Sequence, residues 1–260
     1  MGGPLSTARR VRQLVRRWLR PANAVVKLDG LELAVDPRTE IGNVLWRGGD
    51  FERREHELAA ELFAAGDPAR AIVDVGAHIG RHAIGWALRF ERAKVVAIEP
   101  GPTVAVLHRN VGRNELTDRV AVIECALSDR TGQAELFVAA DDAYTSLADT
   151  RRHAIQYRLP VELRTLDSIA ADLEQPLGLV KIDVEGHEDA VIAGGRVCLA
   201  RDKPVLFVEI YGGVASNRDP AATVATIRAL GYAAFVVGDA GLEPYVRHDD
   251  RRYNYFFIPS

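Results

Sequence analysis

The chain has only two cysteines in 260 residues, Cys125 and Cys198. They stand far apart, with no Cys-x-x-Cys and no Cys/His spacing, so neither a disulfide framework nor a cysteine-based zinc site is indicated. Both are expected as buried free thiols in a reducing compartment. Net charge is also scarce: 33 Lys and Arg against 36 Asp and Glu leave −3. A phosphate backbone would call for a basic excess, so a nucleic-acid partner is not expected. No apolar run approaches the ~20 residues that span a bilayer, and the expected compartment is the cytoplasm. Internal repeats and low-complexity linkers are missing too. What is there is 48% hydrophobic content, enough for one large α/β core with a small N-terminal extension.

The most informative segment is Ile72-Val73-Asp74-Val75-Gly76-Ala77-His78-Ile79-Gly80, followed by Lys94-Val95-Val96-Ala97-Ile98-Glu99-Pro100. The first part is β-branched and apolar, as befits a strand buried on both faces of a parallel sheet, and it runs through an acid and two glycines into an amphipathic helix. Such a turn lets a ligand approach backbone and helix N-terminus closely. Glu99, about 20 residues past the turn and ending the next strand, is placed to take a ribose hydroxyl pair on its two carboxylate oxygens. A pyrophosphate cradle needs G-x-G-x-x-G, whereas here the pattern is D-x-G-x-H-x-G, with Asp74 ahead of the first glycine. An acid there suits a cation. S-adenosylmethionine combines an adenosine with a sulfonium and an α-amino group and carries no phosphate, and Asp74 is expected to help seat its charged end.

Ahead of this segment, Leu5, Val11, Leu14, Val15, Trp18 and Leu19 recur at helical spacing among six arginines. The reading is a basic amphipathic helix, either lying on an anionic membrane or packed on the domain or a second subunit, and ended by Pro21. Residues 25–35 read as a hairpin turning at Asp29-Gly30, and residues 51–65 as a cap helix. From Ala71 strands and helices alternate, which predicts βαβ units and a parallel sheet. Residues 133–139 and 161–166 interrupt this rhythm as an inserted ribbon and lid. The alternation resumes at 178 and closes with strands 232–237 and 253–258.

A second strand ends in charge at Lys181-Ile182-Asp183-Val184-Glu185-Gly186-His187-Glu188. In doubly wound sheets ligands sit beyond the carboxyl ends of the strands, so this cluster should face the same mouth as Asp74 and Glu99. Together with Ala126-Leu127-Ser128-Asp129, Thr165-Leu166-Asp167 and Asn254-Tyr255-Phe256-Phe257-Ile258-Pro259, these blocks resemble the FkbM family of class I S-adenosylmethionine-dependent methyltransferases, from about Gly66 to Pro259. The family has Asn where His78 stands.

The resemblance implies a Rossmann-like, doubly wound, mostly parallel seven-stranded sheet with an antiparallel C-terminal edge strand. Residues 1–65 would form an N-terminal helical and hairpin extension, and residues 66–260 the methyltransferase domain, with its insertion at 133–166. It implies O-methylation of a hydroxyl on a sugar, glycolipid or polyketide-type product. Asp74, Gly76, His78 and Gly80 would serve the methionine end, Glu99 the ribose, and Ser128 and Asp129 the adenine. Asp183, Glu185, His187 and Glu209 are the candidates for acceptor orientation and proton removal, Asp183 first. No metal is assigned, because Lys181 would repel a cation from the same carboxylates. A homodimer is an expected assembly. Two rival readings stay open: an NAD-dependent oxidoreductase, in which His78 would occupy a required glycine position, and a non-catalytic methyltransferase-like binding module.

Overall fold

The structure, a computed structural model, describes residues 19–147, 154–212 and 219–260. The expected basic helix over residues 1–18 therefore lies outside the described residues. Strands β1 (Ala24–Leu28) and β2 (Leu31–Val35) pair as a hairpin. Its turn has Asp29 at φ 45° and Gly30 at φ 89°, the double left-handed geometry that matches strand twist. Helix α1 (Glu40–Trp46) follows, an element that the sequence pattern does not announce. Thr39 caps it by accepting the Gly42 N–H, and a Cβ at Gly42 would meet the Asp36 carbonyl at 2.0 Å. Helix α2 (Arg53–Ala64) completes the extension.

The alternating part runs β3 (Ala71–Val75), α3 (Arg81–Arg89), β4 (Val95–Ile98), α4 (Val104–Arg113) and β5 (Val120–Ile123). The inserted ribbon is β6 (Ala126–Leu127), β7 (Gly132–Ala139) and β8 (Ile155–Arg164), a separate three-stranded sheet in the order β6-β8-β7. Then come α5 (Leu166–Ala171), β9 (Leu177–Ile182), α6 (Glu188–Ala193), α7 (Arg196–Asp202), β10 (Val205–Glu209), α8 (Pro220–Ala229), β11 (Tyr232–Gly238), β12 (Gly241–Pro244) and β13 (Asn254–Pro259). The main sheet has the order β12-β11-β13-β10-β9-β3-β4-β5. All seven expected strands are in it. The C-terminal strand β13 is not at the edge, however: it is inserted antiparallel between β10 and β11, and a short eighth strand, β12, takes the edge position. Strands β12 and β13 both run antiparallel to β11 and flank it, and β13 also runs antiparallel to β10 on its other side.

The sheet is buried on both faces, as a Rossmann-like α/β fold requires. Alternation along β3 sends Val73 and Val75 into the layer beneath α5–α8, and Ile72 into the layer beneath α2–α4. Each such Val or Ile contributes about 1.5–3 kcal/mol by its burial. Asp74, Lys181 and Glu209 follow the parity of Ile72, Leu179 and Phe207, so they belong to the second layer, under the extension. That parity decides much of the site.

Candidate active site

A cleft opens beyond the carboxyl ends of β3, β4 and β9. Its floor is Val75, Gly76, Ile98 and Glu99. Cys125, Ala126, Leu127 and Leu136 form an apolar wall, and Asp183, Val184, Glu185 and His187 close its end. The lid residues Asp142, Ala143, Thr145, Ser146 and Leu147 cover it together with Ile41 from α1. Ser146 Oγ donates to the Glu185 carbonyl at 2.8 Å, and Tyr144 Oη donates to Glu40 at 2.7 Å. The inserted ribbon is thus tied both to the charged loop and to the N-terminal extension.

Gly76 is required where it stands. Its φ is 80°, and a Cβ would lie 1.8 Å from the Asp183 carbonyl oxygen, so only glycine lets the ends of β3 and β9 close on each other. Glu99, 7% exposed, accepts the His78 N–H on Oε2 at 2.9 Å and the Gly101 N–H on Oε1 at 2.8 Å. Two backbone amides therefore fix both carboxylate oxygens at the cleft, each with a further lone pair to offer. His78 adopts φ 51°, and its Nε2 lies 3.4 Å from Asp142 Oδ1. This is an ion-pair contact without hydrogen-bond geometry. Burial pulls the His78 imidazole down, but the Asp142 carboxylate outweighs it and holds the ring above its ordinary value.

Asp74 departs from expectation. It is fully buried and absent from the cleft wall: Oδ2 accepts the Ala83 N–H at 3.1 Å, capping α3 from below, and Oδ1 has no hydrogen-bond partner. Burial pushes its pKa up to about 6. Its place under α3 follows from its parity with Ile72, where it braces the start of the helix that follows the glycine loop. Gly80, at φ 90°, also packs behind the loop, where a Cβ would strike Leu107 at 2.7 Å. Ser128 and Asp129 do not line the cleft either. Ser128 Oγ lies 3.0 Å from His187 Nε2 and 3.1 Å from Asp129 Oδ1, and Asp129 sits at the surface with Arg130. His187 is thereby bound to Ser128, and burial lowers its pKa.

The catalytic candidates on the strand ends do converge. Among the described residues, Asp183, Glu185 and Glu209 bring one carboxylate oxygen each within 4.8 Å of one another. Lys181 Nζ, nearly sealed from solvent, sits 2.8 Å from Asp183 Oδ2 and 5.7 Å above the Phe207 ring. Despite burial, the charges of Asp183, Asp74 and Glu52 hold its ammonium well above the usual range. Lys181 is thus a built-in cation for this group. Burial, with the charges of Asp183, Glu52 and Glu185, pushes Glu209 well above the carboxylate range.

Glu52 carries no signal in the sequence. At φ 51° it starts α2, accepts from Asn254 Nδ2 on Oε1 at 2.9 Å, and contacts His82 Nε2 through Oε2 at 3.0 Å. His82 Nδ1 in turn meets His56 Nδ1 at 3.2 Å, and His56 stacks on Trp86. One tautomer set satisfies the chain: His56 Nδ1–H donates to His82, and His82 Nε2–H donates to Glu52. An acid at a helix start says nothing of a partner 202 residues away.

The family model described as the methyltransferase FkbM domain matches residues 74–233. The chain is similar to the 2-O-methyltransferase NoeI of Sinorhizobium fredii, at 27% identity over 164 residues, 57% of this chain and 65% of that protein. It is also similar to the hexuronic acid methyltransferase AglP of Haloferax volcanii, at 28% identity over 172 residues, 65% of this chain and 67% of that one. The chain thus spans a little under two thirds of the length of the first of these relatives. Among solved structures, methyltransferase FkbM from Methylobacillus flagellatus KT matches with a TM-score of 0.52 and 16% identity, over 84% of this chain and 52% of that one, a likeness of fold.

Proposed function

The chain belongs to the FkbM methyltransferase family, and from that premise we propose that it transfers the methyl group of S-adenosylmethionine to a hydroxyl oxygen of a sugar ring. The observation that carries this reading is the meeting, at one mouth, of a Glu99-anchored nucleoside cleft with the carboxylates of Asp183, Glu185 and Glu209. The residues fit the cofactor. Glu99 offers two fixed oxygens to a ribose diol, Gly76 keeps the floor clear of any Cβ, and Ala126, Leu127 and Leu136 suit an adenine ring. No phosphate cradle is present in the turn, where His78 stands in place of a glycine. That argues against a dinucleotide.

When bound, the cofactor supplies an electrophilic methyl on a sulfonium. The protein's share is chiefly to hold the acceptor oxygen in line, which can be worth several orders of magnitude. Asp183, held by Lys181, is suited to accept a hydrogen bond from the reacting hydroxyl and fix its direction. Glu209, whose pKa burial and neighbouring acids raise, is suited to take the proton. Lys181 offsets the charge that accumulates on the carboxylates, in the place where a divalent cation would otherwise be needed.

Isothermal titration with S-adenosylhomocysteine, run beside NAD and with and without magnesium, tests the reading. Micromolar binding of the homocysteine compound alone, unchanged by magnesium, is the expected result. Binding of NAD would transfer the weight to an oxidoreductase, and binding of neither to a non-catalytic module.

A further inference from the structure

Past the Asp183 end of the cleft, where Glu209 joins Asp183 and Glu185, residues from both ends of the chain, outside the family-matched segment 74–233, pack beside Glu209. Glu209 on β10 is the cross-strand partner of Asn254 on β13, so their side chains share one face of the sheet. Asn254 is 8% exposed. Its Nδ2 is held by Glu52, which directs the amide toward the carboxylates, while its Oδ1 is buried without a hydrogen-bond partner. Immediately past these strand ends the rings of Tyr211 and Tyr253 meet edge to face, 5.8 Å between centroids. Burial, with the charges of Glu209 and Glu52, pushes the Tyr253 hydroxyl up to about 12, which puts that phenol in the same neighbourhood as the acids.

We propose that Tyr211, Tyr253, Glu209 and Asn254 form the acceptor subsite, and that it accepts an uncharged polyhydroxylated ring and refuses one bearing a carboxylate. This rests on the methyl-transfer reading and adds to it the class of acceptor. An aromatic pair offers apolar faces to the C–H side of a pyranose. Carboxylate and amide oxygens accept from its hydroxyls. Asn254 Oδ1 is an acceptor still lacking its donor, and a buried polar atom in that state is the exception that calls for an explanation. A sugar hydroxyl supplies the missing proton.

Charge sets the selectivity. Asp183, Glu52 and Glu185 act on Glu209 as like charges, and the opposing cation at this spot is Lys181, already committed to Asp183. A further carboxylate brought into this group by the substrate would stand beside Asp183, Glu185 and Glu52. Like-charge juxtaposition of this kind weakens binding by about 100-fold or more. The same field leaves neutral hydroxyls untouched.

The test is ligand-observed NMR titration of the full chain saturated with S-adenosylhomocysteine. The probes are neutral methyl hexopyranosides, each run beside the methyl glycoside of its uronic acid. At least one neutral glycoside is expected to bind, with its uronic counterpart at least 100-fold weaker. Tyr253→Ala should lose at least 10-fold in glycoside affinity at unchanged S-adenosylhomocysteine affinity, and Tyr253→Phe should restore it. If Tyr253→Ala fails to fold, as a lost homocysteine-compound affinity would show, Tyr211→Ala serves in its place with the same expectation. Uronic acids that bind as well as the neutral rings overturn the proposal, as does a Tyr→Ala variant that binds glycoside normally. S-adenosylhomocysteine binding with no glycoside bound also overturns it while leaving methyl transfer standing. Failure of S-adenosylhomocysteine itself to bind overturns both.

Discussion

Removing the Glu99 carboxylate should weaken S-adenosylhomocysteine binding roughly 100-fold or more in Glu99→Ala and about 10-fold or more in Glu99→Gln. Each hydrogen bond from a ribose hydroxyl to a charged carboxylate is worth about 1.5–3 kcal/mol. A ribose diol on the two oxygens of Glu99 gives two of them. Taking the low end for both, about 3 kcal/mol, corresponds to a loss of about two orders of magnitude. The result for Glu99→Gln follows from the unliganded geometry. Both oxygens of Glu99 already accept backbone N–H groups, from His78 and from Gly101. Whichever way the substituted amide turns, its NH₂ faces one of those donors, so one bond becomes a donor-donor contact and the ribose loses the matching acceptor. Either substitution also costs stability, because a nearly buried amide loses its partner, on the order of 1–3 kcal/mol. The assay is isothermal titration with each variant, paired with thermal unfolding to confirm that it is folded. A folded Glu99→Gln protein that binds within about 5-fold of the parent would refute the assignment of Glu99 to the ribose.

Three further outcomes follow from the same geometry. Glu209 is held above the carboxylate range by burial and by neighbouring acids. Its basic form therefore grows as pH rises, and the kcat–pH profile should show an ascending limb displaced above ordinary carboxylate values. Glu209→Gln should abolish that limb and leave S-adenosylhomocysteine affinity unchanged; a limb that survives removes Glu209 as the base. Gly76→Ala places a Cβ 1.8 Å from the Asp183 carbonyl at φ 80°, and should destabilise by about 3 kcal/mol, a fall in Tm of roughly 6–12 °C, measured by thermal unfolding. His56, stacked on Trp86 and hydrogen-bonded to His82, has its pKa lowered by burial to about 2. Its unfolded form takes up a proton below about 6.5 and its folded form does not, so its contribution is present above that pH and is lost on acidification. Between pH 6.5 and 4.5 this amounts to about 2 kcal/mol. Denaturant unfolding of His56→Phe, in which an aromatic ring still covers Trp86, should show that much less acid sensitivity than the parent, and an unchanged pH slope refutes it.

The strand-turn-helix segments were legible because their signals are local. A β-branched run ending in Asp74-Val75-Gly76 describes a buried strand with a turn wherever it is found, and the parallel sheet follows from the alternation of such runs. Glu99 was legible for the same reason: it ends a strand, and strand ends face the ligand mouth. The hairpin turn at Asp29-Gly30 and the ribbon over the cleft belong to this class too. Asp74 was harder. The sequence puts an acid ahead of the glycine but does not say which layer receives it, and the parity of β3 against α3 sends it inward. His187 likewise sits in a charged motif, yet its partner is Ser128, 59 residues earlier.

What the sequence alone determined is the class of fold, the cleft beyond the strand ends and the three acids gathered beside it, since each depends on periodicity or on a turn that a short segment fixes for itself. Tertiary structure alone decided the insertion of β13 inside the sheet, the pairing of Lys181 with Asp183 and the meeting of Glu52 with Asn254 beside Glu209. Those depend on which faces of distant elements meet. Side-chain chemistry sets what such a meeting is worth once it occurs, but the packing of a shared core brings it about, and that information is spread over the whole chain.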